Sequence, residues 1–171
     1  MARERSAQLI LASASAARQA MLRQAGLTFT VRPSDFDEAV MKADLLREDT
    51  AAPALAAALA AAKARTVAQT QPDAMVVGAD QVLSCEGVLY DKAPDLAGAA
   101  ATLKGLAGRR HELHAAACVL RGEKILWQHN GTAHLWMRSL TDDAIAGYLD
   151  QAGRSALWSV GSVAYTPLPL P

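Results

Sequence analysis

Short apolar runs alternate along the chain with longer segments of helical composition, a pattern typical of an α/β domain. The runs predict strands at 9–12, 28–31, 75–77, 88–90, 112–121 and 124–137. Capping residues and the spacing of apolar positions predict helices at 16–25, 50–69, 96–104 and 142–151. No repeat or linker interrupts this order, so we expect one domain over 1–161 and an irregular, Pro-rich tail at 162–171.

The central apolar run, Met75 to Val77, predicts a strand that is buried on both faces. Gly78 follows it, where a glycine lets the backbone bend or be approached closely. Asp80 is expected where this strand opens into a loop, the position at which α/β sheets bind ligands. Its carboxylate can hold a hard cation or take a proton from water. The alternative is an aspartate that bonds to the backbone of a turn.

Small hydroxyl residues separate the first predicted strand from the first helix. Ser15 is the expected N-cap, with Ser13 before it and Arg18 in the first helical turn. Free backbone N–H groups and the helix dipole make such a helix start an anion site, and a first-turn cation opposes the dipole unless it serves a ligand. The pattern therefore predicts phosphate binding without a P-loop sequence. The alternative is a capped helix with a solvated arginine.

Further charged side chains surround these segments in the sequence. The acidic stretch 35–38 is either a solvated loop or part of a divalent cation site beside a polyphosphate. Lys63 shares a helix face with Ala56, Ala60 and Val67, so it lies near core positions, where snorkelling to solvent is the ordinary alternative. Lys92 follows a predicted hairpin and returns toward the level of Asp80.

Composition narrows the class of protein. The 171 residues have a formal net charge of zero and no long basic block, so we expect no nucleic-acid partner. The apolar run near the start is too short for a signal peptide or a membrane span, which predicts a cytoplasmic protein without membrane attachment. Cys85 and Cys118 are far apart and fit buried thiols in a reducing compartment, although the sequence leaves a disulfide open. His111 and His114 would face opposite sides of a strand, which favours structural or substrate-contact roles over zinc.

Five ordered motifs resemble the Maf family of nucleoside triphosphate pyrophosphatases. They are the S-x-S-x-x-R loop at 13–18, the acidic pair Asp37-Glu38, the pair Lys63-Ala64, the segment VVGADQV with Lys92, and the L-x-G-x-x-H turn at 106–111. The resemblance continues through 135–148 to Gly161. It implies a Maf/inosine-triphosphatase-like α/β fold, in which helices flank a mixed, twisted central sheet and two lobes surround a cleft.

The resemblance also implies an activity: hydrolysis between the α- and β-phosphates of a nucleoside triphosphate, which yields the monophosphate and pyrophosphate. Family members act on unusual or modified nucleotides, as house-cleaning enzymes, and are linked to arrest of septum formation. By position, Asp80 would be the general base, and Glu38 with Asp80 would bind Mg²⁺ or Mn²⁺. The residues implied to bind substrate are Ser13, Ser15, Arg18, Lys63, Gln81 and Lys92.

The remaining predictions concern the nucleobase of the substrate and the C-terminal segment. Gln81 and Gly161-Ser162 resemble the 7-methyl-GTP subgroup, whereas the dTTP/UTP subgroup usually has Thr at position 81. Ala17 replaces a large residue that can stack on a base, and we count it with Gln81 as a specificity position. The segment 162–171 resembles a shortened form of the family's C-terminus. The alternatives are a dTTP/UTP pyrophosphatase, an inosine-triphosphate enzyme, or a nucleotide-binding regulator with impaired catalysis. A sheet edge left open would suit a homodimer.

Overall fold

The structure is a computed structural model that describes residues 8–157. Its strands are β1 (Leu9–Leu11), β2 (Thr30–Val31), β3 (Met75–Cys85), β4 (Val88–Tyr90), β5 (Arg110–Arg121) and β6 (Lys124–Trp136). Its helices are α1 (Ala16–Gln24), α2 (Glu38–Arg47), α3 (Ala52–Thr70), α4 (Leu96–Leu106), α5 (Asp142–Ala152) and a short 3₁₀ helix (Gly153–Leu157). The predicted tail lies outside the described residues.

The predicted helices and strands are confirmed in order and type, with two corrections. The acidic stretch was predicted as a loop, but Asp37 caps α2 by accepting a hydrogen bond from the Val40 N–H at 3.0 Å. No residue of α2 is fully buried, and its apolar face is limited to the partly buried Met41 and Leu45, a weak signal for an amphipathic helix. The second correction concerns Asp80, which lies inside β3 rather than in a loop at its end.

The strands form a mixed sheet in the order β2-β1-β3-β5-β6, and β4 also pairs with β3. Strand β1 is parallel to both neighbours, with Ile10 opposite Thr30 and Val76. Strands β3 and β4 form an antiparallel hairpin. Its turn places Glu86 at a φ of 51° and Gly87 at 81°. Parallel and antiparallel pairs within one sheet, together with flanking helices, make the α/β class that the sequence predicts.

Two compact units divide the chain. Of the described residues, one unit comprises 8–80 with 115–131, and the other comprises 81–114 with 132–157. The first unit buries β1, β3 and the apolar face of α3 through fully buried side chains: Ile10, Leu11, Leu55, Leu59 and Val76. The second packs α4 against α5 around buried side chains: Ala99, Leu103, Ile145, Tyr148 and Leu149. Within the described residues, we find no helix with the length and apolar character needed to cross a membrane.

Candidate active site

The loop between β1 and α1 is organised by two serines. Ser15 caps α1, and its Oγ accepts a hydrogen bond from the Arg18 N–H at 3.4 Å. The buried Ser13 Oγ accepts hydrogen bonds from the Ser15 N–H at 3.3 Å and from the Arg18 guanidinium at 3.1 Å. The predicted cap is therefore confirmed. The loop also holds the Arg18 side chain beside the helix start, so this arginine is not the solvated residue of the alternative.

Gly78 allows α3 to lie directly against β3. A Cβ on this residue would be 2.1 Å from the Ala60 carbonyl oxygen and 2.8 Å from the Ala64 Cβ, distances that no real side chain maintains. The close approach predicted for this glycine is thus confirmed. Lys63 lies between Ala60 and Ala64 on α3, and Asp80 follows Gly78 by two residues on β3. The close packing of α3 on β3 at Gly78 therefore brings the side chains of Lys63 and Asp80 together.

Lys63 joins two carboxylates from different elements. Its Nζ donates to Asp80 Oδ1 at 2.5 Å and lies 2.9 Å from Glu38 Oε2 at the start of α2. The side chains of Lys63 and Asp80 are only 11% and 8% exposed, whereas that of Glu38 is 50% exposed. The snorkelling alternative for Lys63 is therefore wrong, since its ammonium points to these two carboxylates. Asp80 is likewise a strand residue with a lysine partner, which excludes the turn alternative.

Arg18 completes the cluster from the opposite direction. Its Nη2 lies 3.9 Å from Asp80 Oδ1, the same oxygen that accepts from Lys63. The two cationic and two anionic side chains cancel in formal charge. The cluster as a whole therefore attracts a polyphosphate only weakly unless another positive charge accompanies the phosphates. Electrostatic interactions are strongest where water is excluded, as around the buried Asp80.

The donor chemistry of the cluster fits a hard divalent cation. Glu38 and Asp80 present carboxylate oxygens to one point, which Lys63 Nζ contacts. Mg²⁺ is usually held by one or two carboxylates together with water and substrate phosphates, so two protein ligands are sufficient. Among residues 8–157, no group of three or more His, Cys, Asp or Glu side chains could hold a metal by itself.

The other predicted site residues lie elsewhere in the described chain. Ala17 is exposed on α1, one residue before Arg18. Gln81 follows Asp80 on β3 and points to solvent, and Lys92 is exposed just after β4. Gln81 and Lys92 belong to the second unit, so their approach to the cluster stays a prediction.

The second unit contains a polar network around His114, for which the sequence favoured a structural or substrate-contact role without predicting its partners. His114 Nε2 lies 2.9 Å from Ser84 Oγ, and its Nδ1 lies 3.1 Å from Thr132 Oγ1. Glu112 Oε1 lies 3.1 Å from His134 Nδ1. Alternation along β5 signals that Glu112 and His114 share a face, but only the pairing of β5 with β3 and β6 supplies their partners.

The fold and the first unit's cluster together define an α/β protein in which the N-terminus of α1, a site suited to anions, lies beside the carboxylates of Glu38 and Asp80. The chain belongs to the family described as Maf-like protein, whose sequence profile matches residues 8–168. That match extends across all described elements and into the C-terminal segment.

Curated relatives agree with this membership. The chain is 43% identical over 153 residues to a nucleoside triphosphate pyrophosphatase of Granulibacter bethesdensis, an alignment that covers 90% of this chain and 78% of the relative. It is 40% identical over 154 residues to a 7-methyl-GTP pyrophosphatase of Rhizobium etli, with 90% and 77% covered. A protein of the same name from Mesorhizobium japonicum is 41% identical over 154 residues, with 90% and 77% covered.

Proposed function

We propose that this protein hydrolyses the bond between the α- and β-phosphates of a nucleoside triphosphate, releasing a monophosphate and pyrophosphate. The observation that carries the proposal is the convergence of Arg18 and Lys63 on Asp80, beside the serine-capped start of α1. Family membership and the names of the relatives support the same reaction.

The phosphates are held by the helix start and the cations. Ser13 and Ser15 offer hydroxyl groups, and the first N–H groups of α1 and its dipole favour negative charge. Arg18 can bind a phosphate in a bidentate manner, while Lys63 acts as a point charge. Preorganised cations of this kind stabilise the charge that develops on the phosphoryl oxygens, which is usually the largest contribution to catalysis.

Asp80 is the residue we assign as general base. The contacts to Lys63 and Arg18 are both made by Oδ1, so we assign Oδ2 to the attacking water. The base takes one proton from that water as the oxygen bonds to phosphorus and the bond to the bridging oxygen breaks. A positioned base of this kind typically contributes a rate factor of about 10² to 10⁴.

Glu38 and Asp80 are the residues that would hold Mg²⁺ or Mn²⁺. When bound, the metal polarises a phosphoryl oxygen and neutralises charge on the polyphosphate. Because Arg18, Lys63 and the two carboxylates cancel in formal charge, the metal also supplies the attraction that the protein cluster lacks. Lys63 keeps the two carboxylates together in its absence.

Substrate choice is the finer part of the proposal. We assign Gln81 and Ala17 to base specificity and Lys92 to the phosphates. The favoured substrate is 7-methyl-GTP, the nucleotide in the names of the two rhizobial relatives. A dTTP or UTP pyrophosphatase is the alternative within the same reaction class.

We further propose that the protein acts in the cytoplasm and forms a homodimer. The buried free thiols of Cys85 and Cys118 suit a reducing compartment. Strand β6 ends the strand order and leaves Leu126 and Trp127 46% and 52% exposed, which suits pairing with a second copy. Light scattering should give twice the chain mass, and a monomer at all concentrations would exclude the dimer.

The test is a panel of nucleotides incubated with Mg²⁺, with both products identified. We expect pyrophosphate and the monophosphate from 7-methyl-GTP in equal amounts, with less from GTP, dTTP, UTP and inosine triphosphate. Release of orthophosphate and a diphosphate would show cleavage of the wrong bond. Nucleotide binding by calorimetry without any product would favour the regulator instead.

A further inference from the structure

Lys63 occupies the point at which two carboxylates of the first unit meet. Its Nζ lies 2.5 Å from Asp80 Oδ1 and 2.9 Å from Glu38 Oε2, and all three residues belong to this unit. An ammonium group only donates hydrogen bonds, and ionised carboxylates only accept them. Lys63 is therefore the counterion of the same two side chains that we assign to a divalent cation.

The two oxygens of Asp80 differ in their partners. Oδ1 contacts Lys63 and lies 3.9 Å from Arg18 Nη2, whereas we assign Oδ2 to the attacking water. A cation shared by Asp80 and Glu38 is then left with the oxygens that Lys63 contacts. Two positive charges at these oxygens would repel each other strongly, because Asp80 is buried and water screens charges poorly there. Lys63 and a divalent cation therefore compete for the same carboxylates.

The Lys63 ammonium can leave this position without a change in the fold. Glu38 is half exposed at the start of α2, so solvent reaches the ion pair from this side, whereas Asp80 is nearly inaccessible. Lysine carries its charge on a flexible four-carbon stem. The backbone of α3, which packs closely on β3 at Gly78, can stay in place while the ammonium moves. An exchange of partners thus needs only a change of side-chain conformation.

A second anionic partner for Lys63 would lie close to the cluster. Arg18 Nη1 donates to Ser13 Oγ at the start of α1, and Nη2 of the same guanidinium lies near Asp80 Oδ1. A phosphate at the N-terminus of α1 would therefore lie about one guanidinium group away from the oxygen that Lys63 contacts. An ammonium without an anion is costly in a buried site, so a phosphate oxygen gives a displaced Lys63 a favourable partner.

We propose that Lys63 is an internal counterion that exchanges partners. It holds the carboxylates of Asp80 and Glu38 together, gives them up to a divalent cation, and then pairs with the polyphosphate. The inference rests on the proposed function, because it takes the cluster to be the site of a nucleotide and its metal. Cation and nucleotide binding are thereby coupled, since the nucleotide offers Lys63 the partner that the cation has taken, and this coupling is reciprocal.

The first experiment measures Mn²⁺ binding by calorimetry, without nucleotide, in wild type and in Lys63→Gln. The substitution removes the competing charge and leaves two carboxylates without a counterion, so Mn²⁺ should bind about tenfold or more tightly than to wild type. Lys124→Gln, an exposed position at the start of β6, is the matched control and should bind Mn²⁺ like wild type. Mn²⁺ binding by folded Lys63→Gln that equals that of wild type, or is weaker, would overturn the proposal.

Wild type supplies a second measurement that does not depend on the folding of a variant. Brief acetylation followed by mass spectrometry reports how accessible and unpaired each lysine amine is. Acetylation of Lys63 should be slow in the protein alone, several-fold faster with saturating Mg²⁺, and slow again when the α,β-methylene analogue of 7-methyl-GTP is added with Mg²⁺. Lys124 should react equally under all of these conditions. Labelling of Lys63 that does not rise with Mg²⁺, or does not fall again with the analogue, would contradict the exchange.

Metal binding and catalysis give separate readouts. If wild type releases no pyrophosphate, the proposed function fails, and tighter Mn²⁺ binding by Lys63→Gln would still support Lys63 as the counterion that a cation displaces. If wild type is active but Lys63→Gln binds Mn²⁺ no more tightly and Mg²⁺ leaves the labelling of Lys63 unchanged, the proposed function stands and the exchange is overturned. A lysine with a purely structural role would lower metal binding when replaced, because the carboxylates would lose their arrangement.

Discussion

Lys63 Nζ lies 2.5 Å from Asp80 Oδ1, although the two residues are 17 positions apart on a helix and a strand. Both side chains are nearly inaccessible to solvent, so each depends on the other for its charge. Removing one member of a buried ion pair leaves an uncompensated charge, which costs more than the pair itself contributes.

Replacing Lys63 by Met should therefore destabilise the protein strongly. The free energy of unfolding should fall by about 3 kcal/mol, because Asp80 would keep only Arg18 at 3.9 Å. Asp80→Asn should cost less, since Lys63 retains Glu38 at 2.9 Å. Urea denaturation of both variants and of the double variant measures this. A double variant less stable than Lys63→Met alone would contradict the pairing.

Gly78→Ala tests the contact that brings α3 to β3. The added methyl group meets backbone rather than a flexible side chain, so we expect a loss of about 1–3 kcal/mol or more. Gly147→Ala on α5 is the control, because among the described residues an added Cβ would meet no atom within 4 Å apart from its chain neighbours and the backbone of its own helix, and it should be stabilising by about 0.5–1 kcal/mol. Equal effects of the two substitutions on the thermal midpoint would show that the packing of α3 against β3 does not depend on Gly78.

Glu38→Gln should weaken metal binding without unfolding the protein. Its carboxylate is half exposed and is one of two that we assign to the cation, so activity at saturating Mg²⁺ should persist at a higher half-saturating concentration. A titration of activity with Mg²⁺ after treatment with a chelator measures the change. The control is Glu123→Gln, and an identical titration for both variants would remove Glu38 from the metal site.

Stability should decline at alkaline pH through Cys118. Burial raises the pKa of this thiol above its ordinary value, although the Gly78 backbone and Arg65 act in the opposite direction. Between the unfolded pKa and the raised folded pKa, the folded state binds more protons, so the free energy of unfolding falls as pH rises above about 9. Cys118→Ala should show a shallower decline than wild type in urea denaturation at pH 8 to 10. Parallel curves would contradict this contribution.

Local signals predicted much of the fold. Ser15 and Asp95 mark helix starts through side chains that cap backbone N–H groups, and the Ala-rich spacing placed α3 within two residues of its observed bounds. Helix α2 was missed because none of its residues is fully buried and its apolar face is short, although Asp37 followed by Glu38 is a helix-start signal.

The sequence predicted which residues form the candidate site but not how their side chains contact one another. The charged types point to phosphate chemistry, and their order along the chain resembles the family. Sequence spacing does not show that Lys63 bridges Glu38 and Asp80, because this contact joins three elements through tertiary packing.

The most direct test of the central claim is the single-turnover rate of pyrophosphate release by Asp80→Asn with saturating 7-methyl-GTP and Mg²⁺. The change keeps the size of the side chain and removes the base, so we predict a fall of about 10² to 10⁴ in rate with nucleotide binding retained. Asp150→Asn, on the exposed side of α5, is the control and should match wild type. A rate for Asp80→Asn within a few-fold of wild type would contradict the assignment of Asp80 as the base.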